Sequence, residues 1–145
     1  MVLRKPAAVL AAVIAVSLPV LLPLAARAAD EPEAVYQKFH RAVRASNQGE
    51  MFKYATEQRR REVAAAPQFQ VALIAETLPE SYEITAKQFS PDHNRAQLRM
   101  TGMHSFLGGK KAPMYGIIDL VKLKGEWKVD KMGWAQDQWP QEKLH

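Results

Sequence analysis

Cysteine is absent from all 145 residues. That excludes a disulfide framework, a thiolate nucleophile, a cysteine metal centre and the lipid-modified cysteine of a lipoprotein. Histidine is sparse. No two histidines stand at metal-ligand spacing and there is no helical His-Glu-x-x-His, so neither a metal nor another cofactor is expected. A Gly-x-Ser-x-Gly nucleophile turn and a phosphate-binding loop are both missing. Charge of one sign is weak too. The formal net charge of +5 includes Arg4, Lys5 and Arg27, and without them the chain is close to neutral. A nucleic-acid partner, which needs a concentrated basic surface, is not expected.

What is present begins with a leader. Arg4 and Lys5 give a short positive start, residues 6–26 carry no charge, and Ala26-Arg27-Ala28 fits a small-x-small cleavage site. The apolar run is long enough to span a bilayer, but Pro19 and Pro23 would interrupt a helix there. The expectation is a signal peptide over residues 1–28, cleaved after Ala28. That makes the product periplasmic or secreted, with no stable membrane anchor. Residues 29–134 read as one α+β domain and residues 135–145 as a C-terminal tail.

Residues 30–46 carry Val35, Tyr36, Phe39, Ala42 and Val43 at helical spacing, with Asn47-Gln48-Gly49 as the stop. Met51, Phe52 and Ala55 mark a second short helix. Pro67 opens a further helical segment with Phe69, Leu73 and Ile74, and Pro79 closes it. The period then changes. Tyr82, Ile84 and Ala86 alternate with polar residues, as do Ala96, Leu98 and Met100 after the turn cluster Ser90-Pro91-Asp92-His93-Asn94. Gly102 suggests a bulge or a bend. Gly108-Gly109-Lys110-Lys111 reads as a loop tip. Helices followed by an antiparallel meander argue for helices packed on one face of a curved sheet.

The stretch 114–134 reads as a long hairpin. With a three-residue turn Leu123-Lys124-Gly125, Lys122 faces Glu126, Val121 faces Trp127 and Asp119 faces Val129. Tyr115, Ile117, Asp119, Val121, Trp127 and Val129 then share the face beneath the helices. Ile118, Leu120, Met132 and Trp134 fall on the opposite face, which must also be covered.

Two segments carry a family resemblance. One is the helical start with Val35, Phe39 and Val43, followed by Asn47-Gln48-Gly49-Glu50. The other is the ending, Leu120 to Val129, in which a charged turn with Gly125 leads to Trp127, Lys128 and Val129. Together they resemble the nuclear-transport-factor-two-like superfamily, and within it small exported bacterial domains. The resemblance implies a cone: helices closing over a bent sheet around an apolar cavity. It also implies a homodimer through the outer sheet face, here Ile118, Leu120, Met132 and Trp134, although the tail folding back over that face would serve equally. Members include ketosteroid-isomerase-like and dehydratase-like enzymes and many non-catalytic domains, so the fold does not decide the function.

In such a cone Val35, Phe39, Leu98, Ile117 and Trp127 would line the cavity. Asp119 and Tyr115 would be its polar handles, since a carboxyl in an apolar cavity titrates high and can act as acid, base or donor; the alternative is that Asp119 pairs with Lys131, or faces solvent if the register slips by one residue. Tyr36 and His104 are the further candidates. The family's proton-transferring base follows the early helices, where this chain has Ala64-Ala65-Ala66. The preferred expectation is therefore a non-enzymatic exported domain that binds a small apolar ligand or a partner protein of the cell envelope. The alternatives are an isomerase- or dehydratase-like enzyme using Asp119 with Tyr36 or His104, and a structural accessory of an envelope complex whose pocket is filled by its own side chains. Arg59-Arg60-Arg61, with Arg41 and Arg44, reads as a solvated charged face in preference to a docking patch for anionic lipid or an acidic partner. His40 and His93 read as surface residues.

Overall fold

The computed structural model describes residues 30–140. The expected leader and its cleavage site at Ala28 lie outside the described residues. Four helices precede four strands: α1 (Pro32–Arg44), α2 (Gln48–Lys53), α3 (Glu57–Ala65), α4 (Gln68–Thr77), β1 (Ser81–Phe89), β2 (Arg95–Ser105), β3 (Lys111–Leu123) and β4 (Glu126–Gln136). The strands form one antiparallel sheet in the order β1-β2-β3-β4, and the helices pack on it, so the fold class is α+β. Among the described residues no helix is long and apolar enough to cross a membrane.

The α1 stripe forms as its period dictates. Val35, Tyr36, Phe39, Ala42 and Val43 are all buried. The helix ends earlier than the Gly49 stop implied, because Ser46 takes a left-handed φ of 52°. Asn47 then caps α2, accepting from the Glu50 N–H at 3.0 Å, and Gly49 lies inside that helix. Thr56 caps α3. The linker between α2 and α3 runs along the free edge of β4. Val129 N–H donates to the Tyr54 carbonyl at 2.7 Å, and Thr56 N–H donates to the Val129 carbonyl at 3.0 Å. This one-bridge addition covers an edge that would otherwise offer unpaired backbone groups.

The hairpin pairs one residue away from the expected register. Lys124 and Gly125 both have positive φ, 51° and 81°, which is the backbone of a two-residue type I′ turn. Leu123 therefore faces Glu126, Lys122 faces Trp127 and Leu120 faces Val129. The slip exchanges the faces of β3, since side chains alternate. Trp127 and Val129 do lie beneath the helices, at 6% and 0% exposure. Their partners in the core are Ile118 and Leu120, at 0% and 1%, not Ile117 and Asp119. A bulge follows at Asp130, because Val129 pairs with Leu120 while Lys131 pairs with Asp119. The extra residue reverses the alternation of β4. Met132 and Trp134 thereby join Trp127 and Val129 on the helix side, and both pack against the core. The four residues expected to build a homodimer, Ile118, Leu120, Met132 and Trp134, thus belong to the helix-covered face.

A second bulge sits in β1 at Thr85, between the pairs Ile84↔Met100 and Ala86↔Arg99. It turns Ala86 outward and brings Lys87 to the helix side, where it pairs with Glu33 of α1. Gly102 marks neither a bulge nor a bend. β2 keeps its register through it, pairing with Tyr82 and Met114. A Cβ there would stand 2.7 Å from Pro79 Cβ and 2.8 Å from the Ser81 carbonyl. The glycine is needed for the close approach of the chain entering β1.

The outer face of the sheet carries Arg99, Tyr115, Ile117 and Asp119. The tail folds back over it. Trp139 lies against Tyr115, with ring centroids 5.2 Å apart, and beneath the Arg99 guanidinium at 5.7 Å. Pro140 approaches Gly133. With that cover Ile117 is only 8% exposed.

Candidate functional site

The space that the cone was expected to enclose is occupied by the protein's own side chains. Tyr36, Phe39, Leu98, Met100, Ile118, Leu120 and Val129 are each essentially inaccessible. Val35, Phe39, Leu98 and Trp127 are core residues as expected, but they pack together instead of lining a void. Ile117 lies on the other side of the sheet.

The candidate polar groups are separated in the same way. Asp119 is half-buried on the outer face, accepts from Gln97 Nε2 at 3.0 Å and stands opposite Lys131. Tyr115 is on that face too, under Trp139. Tyr36 is on the inner face. Its hydroxyl accepts from Trp134 Nε1 at 3.0 Å and donates toward Met132 Sδ at 3.7 Å. Burial pushes that phenol far above its ordinary range. His104 is buried at the end of β2, where Nδ1 donates to the Leu78 carbonyl at 3.2 Å and the ring meets Phe106 edge-on. The sheet lies between Asp119 and both proposed co-workers.

His40, expected at the surface, is 6% exposed. Nε2 donates to the Pro79 carbonyl at 3.0 Å, since a carbonyl can only accept. Arg44 Nη1 donates to the Leu78 carbonyl, also at 3.0 Å. Three side chains from α1 and β2 thus hold the connector between α4 and β1, whose carbonyls at a helix C-terminus attract donors and positive charge. Burial pushes the His40 imidazole down to about 4; the bond to Pro79 opposes this and Arg44 adds to it. The ring is therefore neutral at neutral pH.

Pinning this connector leaves a cleft of about 550 Å³ between the second half of α1 and the start of β1, lined by Gln37, His40, Arg41, Arg44, Ala45, Glu80, Ser81 and Tyr82. One wall is aromatic. The Tyr82 ring meets His40 edge-on at 4.9 Å and Tyr36 at 5.4 Å. Burial raises the Tyr82 phenol's pKa, and the nearby Arg41 charge opposes the shift. The other wall is cationic. Neither Arg41 nor Arg44 has a carboxylate partner among the described residues. The one acid in the lining, Glu80, accepts from the Ser105 hydroxyl at 3.2 Å. Two of the three arginines of α3 contrast with this, because Arg59 pairs with Glu62 and Arg61 with Glu57. The cleft can hold a ligand by ring contact and by charge. Of its titratable groups, the histidine is neutral and bound to a carbonyl, the Tyr82 phenol has a raised pKa, and the Glu80 carboxyl is engaged by the Ser105 hydroxyl.

No protein-family model and no curated protein matches the chain. Solved structures do. A SEC-C motif containing protein from Rhodopseudomonas palustris aligns with a TM-score of 0.56 at 14% identity, over 70% of this chain and 77% of that one. A putative NTF2-like transpeptidase from Campylobacter jejuni gives 0.47 at 14% identity, over 70% and 99%. The intermembrane space region of chloroplast protein ARC6 gives 0.46 at 14% identity, over 72% and 94%. The likeness to the first is one of fold.

Proposed function

We propose that this chain is a non-catalytic binding domain of the cell envelope, exported by its leader, with the nuclear-transport-factor-two-like architecture that its helices and hairpin resemble. It takes its ligand at the rim cleft between α1 and β1, and not within the cone. The observation that carries the reading is the pairing of a filled interior with an open, ring-walled concavity beside it, since ligand sites are concave and combine apolar walls with a few polar groups. Catalysis by Asp119 with Tyr36 or His104 has no shared space in which to occur. The expected small apolar ligand gives way to one that also satisfies the arginines, and no homodimer forms through Ile118, Leu120, Met132 and Trp134 without opening the core.

Native mass spectrometry of protein recovered from its own envelope tests this. The expected species begins at Ala29 and carries a small non-covalent adduct, which Tyr82→Ala removes. An adduct retained in Tyr82→Ala, or a chain still beginning at Met1 in the cytoplasm, refutes the reading.

A further inference from the structure

We infer that the rim cleft is selective for small anions that carry a flat ring, a carboxylate or a phosphate on an aromatic body. This rests on the cleft being the binding site and adds the chemical class of what it binds. Arg41 lines the cleft. Its side chain has no hydrogen bond or ion pair among the described residues, although it stands at the mouth of a cleft and close enough to Tyr82 to favour the ionised phenol. The local sequence gives it no acid to meet. The residues three and four positions away on α1 are Lys38, Gln37, Arg44 and Ala45, so no helical ion pair of the usual spacing is available. Arg44 lies one turn on, on the same rim. One of its nitrogens is held by the Leu78 carbonyl, which fixes the guanidinium without neutralising it. Two uncancelled cations thus flank one opening, and planar guanidinium groups match carboxylate and phosphate geometry.

Across from the arginines stands the ring wall. Tyr82 is half-buried and is braced edge-on by His40 and Tyr36, so one ring face is held in place where the cleft begins. His40 adds no charge at neutral pH, which keeps this wall apolar. A bare anion would use the arginines and leave the ring in water. A neutral ring would cover Tyr82 and leave the arginines unmatched. Only a molecule with both parts fills both halves, and Glu80 at the border disfavours a second negative group.

The test is an amide chemical-shift titration of the mature chain with four probes: 3-phenylpropionate, phenyl phosphate, neutral 3-phenylpropanol and inorganic phosphate. The two ring anions are expected to move the amides of Gln37, Arg41, Ser81 and Tyr82 saturably. The alcohol and the bare anion should need about ten times the concentration or more. Arg41→Gln is expected to weaken both ring anions about tenfold, and Glu80→Gln to tighten them. Equal binding of phenylpropanol overturns the anion requirement while leaving the cleft as a site. Equal binding of inorganic phosphate overturns the ring requirement. No movement at the rim with either ring anion overturns the inference, whether or not an adduct is found by native mass spectrometry. Tighter binding of phenyl phosphate than of phenylpropionate assigns the natural ligand to phosphate esters, and the reverse to carboxylates.

Discussion

Gly116→Ala is a change of one methyl group whose consequences follow from the hairpin's actual register. Gly116 faces Trp134 across the β3–β4 ladder, and the indole lies flat over its Cα. A Cβ at position 116 would stand 2.7–2.8 Å from three atoms of that ring, well inside van der Waals contact. The ring has little freedom to retreat, because Nε1 is bonded to the buried Tyr36 hydroxyl and the other side meets Tyr82. Overpacking of this kind costs about 1–3 kcal/mol, and loss of the Trp134–Tyr36 bond about 1 kcal/mol more. Alanine recovers roughly 0.5–1 kcal/mol over glycine within a strand. The net expectation is a destabilisation of about 1–3 kcal/mol, read as a lower urea midpoint at unchanged slope and a Tm lower by roughly 5–15 °C. A double-mutant cycle with Trp134→Ala decides the cause. Once the indole is gone the methyl has nothing to strike, so the two changes should fall short of additivity by about 1–2 kcal/mol. Additive effects, or a Gly116→Ala protein within 0.5 kcal/mol of the parent, would refute the stacking of Trp134 on Gly116 and with it the bulge at Asp130.

Lys124 occupies a left-handed position that favours Asn over Lys; Lys124→Asn is expected to raise stability by about 0.5–1 kcal/mol in urea melts, and a loss would speak against the two-residue turn. Thr56 caps α3 and also donates to the bulged Asp130 at 3.2 Å, so Thr56→Ala should cost about 1–2 kcal/mol and speed amide exchange at Arg59 and Val129. His40 titrates near 4 when folded, against about 6.5 when unfolded. The stabilisation from keeping it neutral is complete above pH 6.5 and is lost as the pH falls toward 4, because the unfolded chain then binds the extra proton. A shift of this size corresponds to up to about 3 kcal/mol, and partial solvation at the cleft lowers that to about 1–2 kcal/mol. His40→Gln, which keeps a donor for Pro79, should flatten the dependence; an unchanged pH profile would contradict the burial of the ring.

The fold class was legible because its signals are periodic. The α1 stripe from Val35 to Val43 and the Ala96-Leu98-Met100 alternation each repeat often enough to fix an element and its buried side. What was lost were single-residue events. The bulges at Thr85 and Asp130 carry no compositional mark, yet each reverses every side chain beyond it. Lys124 is not a residue type that announces a left-handed turn position, and so the hairpin read one residue out. That single slip moved Asp119 and Ile117 out of the core and put Ile118 and Leu120 into it. Tyr36, Trp127 and Trp134 then met partners that no sequence spacing reveals. For the cleft a signal did exist: Arg59 and Arg61 each have a glutamate within helical reach, whereas Arg41 and Arg44 have none. Comparing local acids around each arginine would have separated the two groups. The hydrogen-bond partner of His40, the Pro79 carbonyl on the far side of three further helices, had no such trace.

The attachment of α4 sets how that helix responds to denaturant. Its chain is gripped at one end, where His40, Arg44 and His104 hold the Leu78 and Pro79 carbonyls, while along its length only Ala75 is buried. Phe69, Leu73 and Ile74 are already 70%, 55% and 44% exposed. Unwinding the helix therefore wets almost no new apolar surface, and surface newly wetted is what urea acts upon. Amide exchange from Gln70 to Ile74 should accordingly be nearly indifferent to low urea, while the amides of β3 follow global unfolding. This one helix would come and go on its own clock, hinged at Leu78, with the sheet behind it undisturbed.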